Sequence, residues 1–156
     1  MSSLIQPASM TVTVTESLTL GGYAQGGTNS ITIDNIAEVN RRIVNVPITE
    51  VIIVSISTAV AAGTFVESDV MYIRITNKDD TNHVGLIFKN ENDDEFGVKL
   101  DHGQSFIYNG DLSGGVVDTM DSAATSLTAN TFADLVDITA IADTDPVDLE
   151  VFVASK

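Results

Sequence analysis

The chain contains no cysteine and no tryptophan, and only seven lysines and arginines stand against 22 acids in its 156 residues. Without cysteine there are no disulfide staples and no thiolate metal sites, so stability has to come from packing or from association with other chains. The shortage of cations gives a formal net charge of −15, which repels phosphate backbones and argues against a nucleic-acid partner. No lysine or arginine lies between Asp101 and Glu150. A groove built from that stretch therefore has no side-chain cation with which to clamp a phosphate or a carboxylate. The longest apolar-rich run, Val51 to Val60, is interrupted by Ser55, Ser57 and Thr58 and falls short of the ~18–20 residues a membrane-spanning helix needs. Met1 to Pro7 has neither the basic start nor the apolar run of a signal peptide. The sequence thus predicts a soluble protein made in a cytoplasm, with no membrane partner.

Hydrophobic residues nevertheless make up 44% of the chain, with aromatics at only 6%. Valine, isoleucine, leucine and alanine carry the apolar content, and threonine is frequent. β-Branched side chains are stiff at χ1 and suit a pleated, half-buried surface, so the bias is towards strands. Period-two alternation supports this at Thr11 to Thr15 (continuing through Leu18 and Leu20), Ile31 to Asp34, Val70 to Asn77 and Phe132 to Ala142. The span Ile36 to Val46 is mixed; a strand from Arg41 to Val46, closed by Pro47, is favoured over a helical turn. Glu50 to Ser57, His83 to Lys89, Glu95 to Leu100, Ser105 to Tyr108 and Asp148 to Ala154 complete the strands. Turns are expected at Lys78 to Asn82, Asn90 to Asp94, Asp101 to Gln104 and Asn109-Gly110. The glycine-rich stretch Gly21 to Asn29 and the Ser/Thr/Gly/Asp-rich stretch Leu112 to Asn130 read as loops. Reversals recur at the spacing of a sandwich or barrel. The expectation is an all-β, antiparallel two-sheet sandwich of jelly-roll type spanning 10–156, preceded by a short arm at 1–9.

Candidate chemistry is sparse. His83 and His102 both flank turns, with no partners at metal-ligand spacing. Asp80, Asn82, Gly85, Ile87 and Glu91 fall at EF-hand positions, but Val84 offers no oxygen where one is needed and the flanks read as strands. The acidic runs 90–95 and 143–145 could hold calcium, although a solvated hairpin tip is the simpler reading. There is no Gly-x-Ser-x-Gly elbow, no Ser-x-x-Lys, and no glycine loop leading into a helix. No catalytic, cofactor-binding or metal-binding residue is predicted, no cofactor is called for, and the chain does not read as an enzyme. The acids are also unevenly spread: residues 1–66 hold four acids and two bases, residues 67–156 eighteen acids and five bases.

The segment Tyr72-Ile-Arg-Ile-Thr-Asn-Lys-Asp-Asp-Thr-Asn, followed by Lys99-Leu-Asp-His-Gly-Gln-Ser-Phe, resembles a pattern in small β-sandwich virion structural proteins of tailed bacteriophages, marine ones in particular. The order of Arg41 to Val46, Pro47 and Glu50 to Ser57 is similar too, and the resemblance covers roughly residues 36–110. Asp101-His102 departs from it where a Pro-like turn is expected. These motifs encode hairpins and not chemistry, so no functional residue carries over. The resemblance implies a subunit bound to a capsid or tail, commonly a homotrimer. The expected role is a capsid decoration or cement protein that binds the major capsid protein as a homo-oligomer in the virion, its arm or terminal strand clipping to a neighbour by strand addition. The alternatives are a receptor- or carbohydrate-binding fibre or tail-tip module using loops near Tyr23 and Tyr108 to Gly115, and a tail or connector component.

Overall fold

The computed structural model describes residues 4–122 and 131–156. Among them every regular element is a strand. In chain order these are β1 (Ala8–Thr15), β2 (Thr19–Leu20), β3 (Tyr23–Ala24), β4 (Thr28–Ile36), β5 (Glu38–Val46), β6 (Val51–Ser57), β7 (Phe65–Val66), β8 (Val70–Asn77), β9 (Val84–Asn90), β10 (Glu95–Leu100), β11 (Ser105–Asn109), β12 (Leu135–Ala142) and β13 (Val147–Ser155).

One sheet has the order β10-β9-β12-β6 with β7 added at its edge, and the other the order β11-β8-β13-β5. All pairs are antiparallel except β6 with β7. The chain changes sheet at β5 to β6, β7 to β8, β8 to β9, β10 to β11, β11 to β12 and β12 to β13, giving two interlocked Greek keys. The fold is a jelly-roll sandwich.

Alternation decides which side chains meet between the sheets. In β9, Val84, Leu86 and Phe88 are fully buried while Gly85, Ile87 and Lys89 face out; in β8, Ile73 and Ile75 point in while Arg74 and Thr76 point out. The few aromatic rings are concentrated. Phe88 stacks on Phe96 at 4.8 Å, lies 5.1 Å from Phe106 and stacks on Tyr108 at 5.5 Å. Fully burying one such ring stabilises the fold by about 1.5–3 kcal/mol, and the ring pairs add to this.

β1 and β4 form a separate ribbon from Ala8 to Ile36, which β2 and β3 extend to its tip. Backbone bonds from Glu16 N–H to Gly27 C=O (2.9 Å) and from Gln25 N–H to Leu18 C=O (2.8 Å) join the two ladders. The expected loop Gly21 to Asn29 is therefore mostly ribbon. Its only reversal is Gly21-Gly22, where φ values of +60° and +86° suit the two-residue turn whose twist matches the flanking strands. β1 starts at Ala8, inside the expected arm; residues 1–3 lie outside the described residues.

Further differences from the sequence expectation have local causes. β5 begins at Glu38 and not Arg41, because its whole length is paired with β13, from Ser155↔Glu38 to Val147↔Val46. Of the expected loop 112–130, residues 123–130 lie outside the described residues; within the remainder Val116 and Met120 are buried, so that stretch closes one end of the core. Tyr108, expected near a binding loop, packs into the aromatic cluster, with its hydroxyl 3.0 Å from Thr119 Oγ1.

Candidate functional site

The ribbon roots on the outer face of the β5-β13-β8-β11 sheet. There Ile33 and Ile36, with Met10 and Val12 beside them, cover Met71, Tyr72 and Ala154, and Ile107 and Phe152 flank the patch. Its two faces differ in chemistry. Met10, Val12 and Val14 line up with Ile31 and Ile33 on one face, as the register Met10↔Ile33 and Val12↔Ile31 requires. The other face is Thr and Ser, with side-chain bonds Thr13–Ser30 at 2.8 Å and Thr15–Thr28 at 3.3 Å. The apolar row outruns its cover: Val14 is 45% exposed, and nearer the tip Leu18, Leu20 and Tyr23 reach 55%, 66% and 74%. Only Glu16 and Asp34 bring charge to the ribbon, and no lysine or arginine does.

A groove of about 620 Å³ runs beside β1, lined by every residue from Met10 to Thr15 and floored by Tyr72, Arg74, Ile107 and Phe152. Successive strand residues point to opposite faces, so a groove lined by six in a row faces the strand's edge. The floor is rigid. Glu150 Oε1 accepts from Arg74 at 2.7 Å and its Oε2 accepts from Arg41 at 2.9 Å, while the Arg74 guanidinium lies over the Phe152 ring at 5.6 Å. The hydrogen bond from Arg74, then that from Arg41, holds the Glu150 carboxyl below its ordinary value of 4.5.

A second concavity, about 510 Å³, lies on the outer face of the opposite sheet. Its floor is low because Gly85 and Gly97 carry no side chain; a Cβ on Gly85 would sit 3.3 Å from Ile141 Cγ2. His83 Nδ1 lies 3.5 Å from Asp143 Oδ2 at the rim, with Lys99 nearby. His102 stands apart from this pair, in the turn after β10, where its N–H donates to Asp101 Oδ1 at 2.9 Å.

The acidic runs resolve into backbone architecture. Asn77 and Asn90 are buried at the ends of β8 and β9. Asn77 Nδ2 donates to the carbonyls of Asn82 and Leu100, and its Oδ1 accepts from Asp79 N–H. Asn90 Oδ1 accepts from the N–H groups of Asn92 and Asp94. Asp79 caps its own turn by accepting from Asn82 and Thr81 N–H, and these bonds lower its pKa. β9 runs straight through the EF-hand-like spacing of Asp80 to Glu91. In 90–95, Asp93 pairs with Lys89 at 3.0 Å. Among the described residues no three His, Asp or Glu side chains are grouped to hold a metal, 90–95 and 143–145 included, and no helix is long and apolar enough to cross a membrane. One acidic neighbourhood that sequence spacing does not show is Glu67 with Asp134, Glu91 and Asp118. Burial first, then these neighbours, raise the Glu67 pKa.

Searches against protein-family models, curated proteins and solved structures find no match to this chain.

Proposed function

We propose that this protein is an assembly component: a jelly-roll subunit that works by holding other protein surfaces together. Within that class, we take it to be a capsid decoration or cement protein of a tailed bacteriophage, bound to the major capsid protein as a homo-oligomer, with the trimer favoured by the resemblance described above. The observation that carries the reading is the β-ribbon, whose exposed apolar tip carries Leu18, Leu20 and Tyr23, on a strongly acidic sandwich. Exposed apolar side chains gathered at one end of an element mark a surface that meets a partner. An acidic body keeps many closely spaced copies soluble. The fold is compatible with this role, but jelly rolls serve lectins and enzymes as well, so the argument rests on the ribbon.

The experiment is quantitative mass spectrometry of purified particles carrying the chain. Hundreds of copies per particle, scaling with the major capsid protein, support decoration; a handful supports a tail or connector component. The glycine-floored groove rimmed by His83, Asp143 and Lys99 gives a carbohydrate-binding module some footing. Saturable glycan binding abolished by Gly97→Phe, together with absence from capsids, would replace the decoration reading.

A further inference from the structure

We propose that the free edge of β1 takes a strand from the β1–β4 ribbon of a second copy of this chain. This deepens the homo-oligomer part of the reading above and rests on it.

β1 pairs with β4 alone, leaving its other edge unpaired among the described residues. Unpaired edges invite strand addition, and sheets normally guard them with charge, proline or very short length. Three of the four edges of the sandwich follow that rule: β5 carries Glu38, Arg41 and Arg42, β10 carries Glu95 and Lys99, and β7 is two residues long; the fourth, β11, is uncharged but only five residues long. β1 is eight residues, Ala-Ser-Met-Thr-Val-Thr-Val-Thr, with no charge and no proline. The groove beside it leaves room for an incoming backbone. A strand lying there would cover the Phe152 and Ile107 side chains that β1 leaves half-buried.

Two arguments select a second copy as the occupant. The first is electrostatic. Outside the ribbon the chain holds twenty acids and seven bases, against two acids and no base within it, so two copies meeting along the uncharged β1 strand bring less like charge together than copies meeting body to body. The second is self-complementarity. Val/Met on one face and Thr on the other allow a ribbon beside a ribbon to continue both faces, apolar against apolar and Thr against Thr. A two-stranded hairpin is marginal on its own, and three or more strands with a shared apolar face are stable. Joining ribbons supplies those strands.

The test uses the purified full-length chain. Sedimentation velocity over a wide concentration range should show a discrete oligomer. Thr11→Lys with Thr13→Lys, which places charge on the solvent-facing row of the edge strand, should give a monomer with an unchanged far-ultraviolet spectrum. Should that variant misfold, spin labels decide. Neighbouring strands lie about 4.8 Å apart, so labels on Thr13→Cys in adjoining ribbons fall within about 20 Å and broaden each other's spectra. Labels on Ile52→Cys, exposed on the opposite sheet, should not. The chain has no native cysteine to confuse the labelling. A wild-type chain that is monomeric throughout overturns the second-copy assignment and leaves the edge to a foreign strand. An oligomer that survives both lysines, or shows no broadening at Thr13, overturns the role of the β1 edge. Neither result depends on capsid occupancy, so this proposal and the decoration reading fail separately.

Discussion

Glu150 is a buried carboxylate that accepts from two guanidiniums across three strands, Arg41 on β5 and Arg74 on β8 with Glu150 itself on β13. Breaking one side of such a cluster strands the remaining charges, yet Arg41 is largely exposed and water screens its share. Glu150→Gln should therefore lower the unfolding free energy at neutral pH by about 1–2 kcal/mol, read from denaturant midpoints at constant m-value. Because the folded carboxyl titrates below its ordinary 4.5, its contribution is complete above that value and is lost as pH falls through the lower folded one. The gap between wild type and variant should close in strongly acidic buffer. Glu67 has the opposite sign. Its folded pKa is raised above 4.5 by burial and by Asp134, Glu91 and Asp118, so its charge destabilises the fold above the raised value and the penalty is gone below 4.5. Glu67→Gln should stabilise at neutral pH and be neutral in acid, as thermal melts at the two pH values would show.

At the scale of elements, the sandwich and the ribbon respond differently to mutation. Phe88 anchors the aromatic cluster from the centre of β9, and Phe88→Ala should cost about 3–5 kcal/mol of global stability. Gly22 has φ +86° at the ribbon turn, a conformation that a β-branched residue enters only with strain. Gly22→Val should raise amide exchange at Leu20 and Tyr23 while leaving the melting of the sandwich nearly unchanged. The sandwich strands are readable from alternation where one face is dry and the other wetter, as Ile73 to Thr76 illustrates. The ribbon was harder to read. Alternation marks its strands at Thr11 to Thr15 and Ile31 to Asp34, but four glycines in nine residues mask the continuity between them. The useful signal was Gly-Gly between alternating segments, the signature of a two-residue hairpin. The burial of Asn77 and Asn90 is not legible in the sequence, because Asn77 closes a strand with a polar side chain and Asn90 reads as the first residue of a turn. Tyr108 ends an expected strand beside a loop, and its packing against Phe88 is a tertiary contact that strand periodicity does not display. The free edge of β1 is a property of pairing, which a single sequence does not display.

For the whole molecule, charge and shape belong to the same account. Self-repulsion among 22 acids and seven bases opposes compactness, and raising salt from about 10 mM to about 150 mM shortens the screening length from ~30 Å to ~8 Å. The melting temperature should rise over that range, and a flat salt response would contradict the charge argument. Contact along the uncharged β1 strand would let such acidic bodies occupy adjacent positions on a particle without touching one another. The most direct test of the central claim is cryo-electron microscopy of particles that carry the chain. The account predicts jelly-roll density on the outer surface of the head, repeated with the capsid lattice, with the ribbons of neighbouring copies joined edge to edge. Density confined to the tail, or a head surface bare of this fold, would contradict it.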